Sequence, residues 1–171
     1  MVERRTDDVA QDKIWSMIRN IRVATMVTVD DQGRMRGRPM RAASLQQFDG
    51  TLWFFTADPS PKVREIIGDG RVLLAYADPV AENYASLSGT ARIVQDPARQ
   101  RDLWSEALRS SFPAGPDAPS TALIEVTVHG AEYWDVPSSS LVQAYGYVKA
   151  RLTGEAPDGG ANEKVAFRPP G

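Results

Sequence analysis

A strand-to-helix connection carries the residue types that bind a phosphate group. An apolar run at residues 52–55 leads through a short polar loop into a helix predicted over residues 61–67. Ser60 is placed to cap that helix, and Lys62 falls in its first turn. Unpaired N–H groups and the helix dipole favour anions there. Thr56, Ser60 and Lys62 therefore form a candidate phosphate cradle, the alternative being an ordinary connection with a solvated lysine.

A second group of cations lies on the strand that begins at residue 34. Side chains alternate between the faces of a strand, so Arg34, Arg36 and Arg38 are predicted to project together. Pro39 cannot donate to a strand ladder, which predicts an edge strand or a local opening. Arginines beside open backbone can pair with phosphate or hydrogen-bond a planar heterocycle. A solvated basic edge that discourages aggregation is the alternative interpretation.

No catalytic set can be assigned from the residues. His129 is the single histidine, and it lies on an alternating strand without a serine, cysteine or carboxylate pair at a recognisable spacing, so a structural role is predicted. The chain has no cysteine, which excludes disulfides, thiolate chemistry and cysteine-ligated metals. The single histidine excludes a multi-histidine metal site. Neither a glycine-rich dinucleotide fingerprint nor a P-loop is present.

The composition is that of a globular protein. Apolar residues make up 42% and charged residues 25% of the 171 residues, and the net charge is −2. This charge gives no global basic field for nucleic acid. The sequence shows no signal-peptide run and no apolar segment long enough to span a bilayer. A single cytoplasmic domain over residues 1–171, without nucleic-acid or membrane partners, is expected.

The elements that position these residues follow from periodicity and turn signals. Helices are predicted over residues 6–20 and 61–67 and from Asp96-Pro97, the last with an apolar stripe of Leu103, Trp104, Ala107 and Leu108. Strands are predicted over residues 22–29, 34–44, 71–76, 84–94 and 121–134, with a second hairpin at residues 45–56 that turns at Asp49-Gly50. The Gly- and Pro-rich tail from residue 154 is predicted to be irregular.

About six strands, mostly joined by hairpins, favour a mainly β protein over a doubly wound sheet. The expected fold is a six-stranded antiparallel split β-barrel flanked by helices. The sheet edges need closure or a partner chain, which favours a homodimer.

Four stretches in their order and spacing resemble the FMN-binding split-barrel superfamily related to pyridoxamine 5′-phosphate oxidase. The branch that they resemble most is the bacterial general stress protein 26 type. The stretches are Gly-Arg-Pro-Met at 37–40, Phe-Thr at 55–56 with Ser-Pro-Lys-Val at 60–63, residues 84–91, and Glu-Tyr-Trp-Asp at 132–135. They lie within about residues 13–150.

This resemblance implies FMN, or FAD as an alternative, bound at a homodimer interface. It places Arg38, Thr56, Ser60 and Lys62 at the phosphate and ribityl end of the cofactor, and the surroundings of Met40 and Phe55 near the flavin ring. Tyr84 matches the position of a glutamine that contacts the flavin in the oxidases, and Trp134 matches a tryptophan that reaches the flavin of the partner subunit.

Two departures argue against oxidation of pyridoxine phosphate itself. In the oxidases, an arginine and a histidine in the segment that corresponds to residues 136–147 bind the substrate, and this chain has neither there. Pro61 stands where the oxidases have an arginine just before the lysine that matches Lys62. Three functions stay open: a flavin-dependent oxidoreductase with an unidentified substrate and electron donor, a non-catalytic flavin-binding stress sensor or store, and a split barrel that uses a deazaflavin or haem.

Overall fold

The computed structural model describes residues 7–43, 48–135 and 161–167. Three α-helices, seven β-strands and one short 3₁₀ helix occur in these residues. In chain order they are α1 (Asp7–Ile21), β1 (Val23–Val29), β2 (Met35–Arg41), β3 (Thr51–Ala57), α2 (Pro61–Gly68), β4 (Arg71–Asp78), β5 (Asn83–Val94), α3 (Pro97–Leu103), the 3₁₀ helix (Glu106–Ser110), β6 (Thr121–Asp135) and β7 (Ala161–Ala166).

The strands form one antiparallel sheet in the order β2-β1-β4-β5-β6-β3, with β7 added to β6. The two ends of this order approach each other beyond β2, where Ala42 and Phe54 form an isolated bridge. The Ala43 N–H donates to the Trp53 carbonyl at 2.7 Å. The sheet therefore curls into a split barrel, and the predicted antiparallel barrel with flanking helices is confirmed.

The barrel interior is filled by alternate side chains of its strands. On β1, Ala24, Met26 and Thr28 are fully buried because every second residue of the strand faces inward. Helix α1 packs on the same core through buried residues that include Ile14 and Ile18. This spacing of four residues places both side chains on one helix face. No helix among the described residues is long and apolar enough to cross a membrane.

A β-bulge interrupts the pairing of β5 with β6 between Ser88 and Gly89. The Gly89 backbone approaches β6 so closely that an added Cβ would lie 2.2 Å from the Thr127 carbonyl oxygen. A bulge bends its strand and increases the local twist. Only a residue without a side chain fits the structure at this bend.

The tail corrects two predictions, the number of strands and its own irregular structure. β2 is an edge strand, as Pro39 predicted, and β3, the second strand of the hairpin predicted at residues 45–56, pairs with β6. Residues 44–47, which include most of that hairpin's predicted first strand, lie outside the described residues. The barrel has a seventh strand, because residues 161–166 of the predicted irregular tail pair with β6. Val165 and Phe167 are buried there, so an alternating apolar pair outweighs the Gly- and Pro-rich composition.

The third predicted helix, from Asp96-Pro97, begins where the sequence indicates but is shorter than its apolar stripe. The Asp96 side chain accepts a hydrogen bond from the Arg99 N–H, which caps α3. The chain leaves the helix at Trp104, whose ring makes an edge contact with Phe55 at 5.5 Å between centroids. The helix therefore ends where Trp104 packs against the barrel. The stripe residues Ala107 and Leu108 lie in the 3₁₀ helix that follows.

Candidate functional site

Arg38 lies on the inner face of β2, directly opposite the buried Met26 of β1. Its guanidinium donates to Glu65 Oε2 at 2.6 Å and to the hydroxyl of Thr28. The Thr28 hydroxyl in turn donates to the same Glu65 oxygen at 2.5 Å. Thr28 is fully buried, and the Arg38 and Glu65 side chains are 21% and 12% exposed. The three residues form a network, the Arg38 network, that fixes α2 to the barrel.

The three arginines predicted to project together are separated in the structure. Arg34 and Arg36 both donate through Nε to Asp30 Oδ2, at 2.9 and 3.1 Å. The Arg34 backbone N–H, followed by the side chains of both arginines, lowers the pKa of Asp30 to about 2. Asp30 lies at the hairpin turn, where its carboxylate accepts hydrogen bonds from Arg34 and Arg36. Among the described residues, only Arg38 of the three donates a hydrogen bond to a residue of α2.

Helix α2 begins with a polar group that has no partner. Ser60 occupies the N-cap position with extended backbone angles, φ −151° and ψ 163°, but its side chain makes no capping hydrogen bond. The predicted side-chain cap is therefore wrong, although the cap position is right. Among the described residues nothing pairs with the buried Ser60 Oγ. A buried hydroxyl beside unpaired helix N–H groups is a ready donor to an anion.

Lys62 adds a partly desolvated cation in the first turn of α2. Burial lowers the pKa of its ammonium from the ordinary value of 10.5, and the positive charge of Arg38 lowers it further. The carboxylate of Glu65 opposes both effects. Two cations thus face one carboxylate, and an added anion would relieve the repulsion between Lys62 and Arg38.

The remaining predicted site residues divide into three buried residues and one exposed pair. Thr56 is buried and donates to the Ala57 carbonyl at 3.2 Å. Phe55 is buried beside Trp104, and Met40 lies in the core. Tyr84 and Trp134 face each other across β5 and β6, with 38% and 37% of their surfaces exposed. Within the described chain, no hydrogen bond or ring contact joins this pair to Arg38 or Lys62.

Thr28 and Glu65 are site residues that the sequence reasoning missed. Thr28 is a polar residue at an inward position of an alternating strand, which is a signal for a buried hydrogen bond. Glu65 lies three residues after Lys62 on the predicted helix, within reach of the same surface. Neither signal identifies Arg38 as the shared partner, because that contact joins elements distant in sequence.

A groove of about 640 Å³ separates α2 from the tip of the β1–β2 hairpin. Four carboxylates and three arginines line it, namely Asp30, Asp31, Glu65, Asp69, Arg34, Arg36 and Arg64. Because acids outnumber bases there, the groove is a poor site for a phosphate dianion. The excess positive charge lies instead at Lys62 and Arg38.

Replacing Glu65 by glutamine is expected to destabilise the protein by about 1.5–3 kcal/mol. The substitution replaces the mostly buried carboxylate that accepts the Arg38 hydrogen bond by a neutral amide. Urea unfolding measures the change. The matched control is Glu106→Gln, which alters a pair with Arg109 whose side chains are 54% and 72% exposed and should leave the unfolding midpoint unchanged. Equal changes in the free energy of unfolding for the two substitutions would contradict the proposed contribution of the Arg38 network to stability.

The geometry defines a class of protein: a split barrel in which the charge of an edge-strand arginine, Arg38, acts on a lysine in the first turn of α2. The chain belongs to the pyridoxamine 5′-phosphate oxidase like family, whose model matches residues 9–158. The family predicted from the four sequence stretches is thereby confirmed. A comparison with curated proteins gave no match.

Solved structures similar to this chain include several general stress proteins. A general stress protein 26 type protein from Jannaschia sp. CCS1 is 24% identical, with a TM-score of 0.72 over 94% of this chain and 99% of that chain. The general stress FMN/FAD binding protein from Xanthomonas citri is 28% identical, with a TM-score of 0.66 over 77% and 92%. A pyridoxamine 5′-phosphate oxidase-related, FMN binding protein from Nostoc punctiforme is 17% identical, with a TM-score of 0.63 over 94% and 96%.

Proposed function

We propose that this protein binds FMN, with the cofactor phosphate at the start of α2. The observation that carries the proposal is the unpartnered, buried Ser60 hydroxyl beside the partly desolvated Lys62. A phosphate supplies the acceptor oxygens that Ser60 and the helix N–H groups lack, and the negative charge that Lys62 and Arg38 lack. The family membership and the FMN/FAD binding relative from Xanthomonas citri support the choice of ligand.

Each residue of the proposed site has a distinct task. Lys62 and Arg38 neutralise the phosphate, while Thr28 and Glu65 hold the Arg38 guanidinium in place. The buried position of these groups strengthens their attraction for an anion, since water screens it less. Thr56, Met40 and Phe55 line the path from the phosphate toward the flavin ring in this proposal. The flavin itself would supply the electron-transfer chemistry.

A second copy of the chain is the proposed cover for the exposed apolar residues of the sheet. Leu73, Tyr84 and Trp134 on β4, β5 and β6 are each 37–38% exposed, which supports a protein partner on this face. In a homodimer, Tyr84 and Trp134 would complete the flavin site. Light scattering at micromolar concentration is expected to give twice the chain mass. A monomer would contradict the two-chain site while leaving the phosphate cradle testable on its own.

The proposed activity is a flavin-dependent oxidoreduction of an unidentified small molecule. Pyridoxine phosphate oxidation is not proposed, because residues 136–147 lack the arginine and histidine that such a substrate needs. The decisive experiment is purification without added ligand, denaturation and identification of the released molecule by mass. Release of FMN supports the proposal, whereas a deazaflavin or haem overturns it. Turnover of NAD(P)H with bound FMN then separates an enzyme from a non-catalytic flavin carrier.

FMN affinity is expected to fall with rising pH at values below the ordinary lysine pKa. The phosphate binds protonated Lys62, and burial lowers the pKa at which Lys62 loses its proton in the free protein. Raising the pH through that lowered pKa therefore removes the ion pair. Fluorescence titrations of FMN across the alkaline range measure the effect, with riboflavin as the phosphate-free control. The same alkaline fall in Lys62→Ala would show that another group is responsible.

A further inference from the structure

A second cavity, of about 300 Å³, lies between α1, the end of β2 and the start of β3. Trp15, Ile18 and Leu52 give it an apolar wall. None of the residues of the proposed phosphate site lines it. Its volume is at the lower end for ligand pockets, which suits a single-ring molecule and not a flavin nucleotide.

Three arginines surround this cavity without a carboxylate among its described lining residues. They are Arg19, Arg22 and Arg41, and all three are exposed. The Arg19 guanidinium lies 5.9 Å from the centroid of the Trp15 ring. Within the described part of the chain, Arg22 and Arg41 make no ion pair. Such a concentration of positive charge favours an anion.

Two further observations indicate a site built for a ligand. Tyr76 contributes to the cavity wall, is 2% exposed, and has a buried hydroxyl without a hydrogen-bond partner among the described residues. Burial raises the pKa of this phenol, so it stays a neutral donor. Arg22 directly follows α1 and has φ 68°, a conformation that glycine adopts at lower cost. Arginine adopts this backbone conformation at a higher energetic cost than glycine, and its side chain places a positive charge at the cavity.

We propose that this cavity binds a small planar organic acid. Arg22 and Arg41 hold the acid group, the flat body lies against Trp15, and a polar substituent accepts a hydrogen bond from Tyr76. The proposal uses none of the residues assigned to the flavin site and does not depend on that assignment.

Calorimetric titration of the full chain with benzoate tests the acid group. We expect a dissociation constant of about 1 mM or lower for benzoate, and at least about tenfold weaker binding of the neutral analogue benzyl alcohol. Arg41→Ala should weaken benzoate binding about tenfold, since one charged hydrogen bond is lost. Arg64→Ala, an exposed arginine on α2, is the matched control and should change nothing. Equal binding of benzoate and benzyl alcohol, or no measurable binding of either, overturns the proposal.

Two variants separate binding from folding. Arg22→Gly relieves the left-handed conformation, so the thermal midpoint should hold or rise while benzoate affinity falls about tenfold. Tyr76→Phe removes only the buried hydroxyl. It should abolish any preference for 4-hydroxybenzoate over benzoate without lowering the thermal midpoint. Unchanged benzoate affinity in both Arg22→Gly and Arg41→Ala would show that the arginines do not bind the acid, and would overturn the proposal.

Discussion

Replacing Lys62 by alanine is expected to weaken FMN binding by about 10- to 100-fold while the barrel stays folded. A charge-assisted hydrogen bond contributes about 1.5–3 kcal/mol, which corresponds to this range of affinity. Lys62 is only partly buried at the start of α2, so its removal leaves the core unchanged. Flavin fluorescence titrations measure the affinity, and circular dichroism measures the fold.

Two comparisons make this result specific to the phosphate. Riboflavin lacks the phosphate, so its weaker binding should be the same in the wild type and in Lys62→Ala. Arg64→Ala removes a positive charge from the same helix but outside the proposed cradle, on the acidic groove. It should lower FMN affinity far less than Lys62→Ala. Equal FMN affinity in Lys62→Ala and the wild type would remove the phosphate assignment.

Replacing Gly89 by alanine is expected to destabilise the protein by about 3 kcal/mol, near the upper end for an overpacked site. The new Cβ would lie 2.2 Å from the Thr127 carbonyl oxygen and 3.2 Å from the Val128 Cα. Both are backbone atoms of a central strand, so neither can rotate away as a side-chain tip can. Urea unfolding, with the slope compared between variants, measures the loss.

Gly130→Ala provides a control on the same pair of strands. Its Cβ would meet the Val165 carbonyl oxygen at 3.6 Å and the Ser88 hydroxyl at 3.7 Å, which are ordinary contacts. We expect a change within about 0.5 kcal/mol, as for most substitutions without a steric cause. Similar losses for Gly89→Ala and Gly130→Ala would mean that the bulge does not require glycine.

Local signals in the sequence were sufficient for much of the fold and for half of the site. The run from Ser60 to Gly68 predicts the start and end of α2, because capping position, proline and glycine act over a few residues. Pro39 likewise predicts that β2 is an edge strand. The position of Lys62 at the helix start follows from the same local rules.

Contacts between distant segments could not be predicted in this way. Arg34, Arg36 and Arg38 alternate identically in sequence, yet Asp30 takes two of them and Glu65 takes the third. The choice depends on where α2 lies against the barrel. The end of α3 at Trp104 also depends on a distant ring, Phe55. Tertiary packing, and not local propensity, decided these points.

The two halves of the proposed cradle come from opposite borders of the sheet. Arg38 belongs to β2 at one border, whereas Lys62 follows β3 at the other, and the bridge between Ala42 and Phe54 is where these borders meet. The ion pair between Arg38 and Glu65 of α2 already joins these borders a second time, and an anion held by both cations would add a further link. Cofactor binding would then stabilise the contact between the two borders, and we expect the empty protein to open there more readily than the filled one.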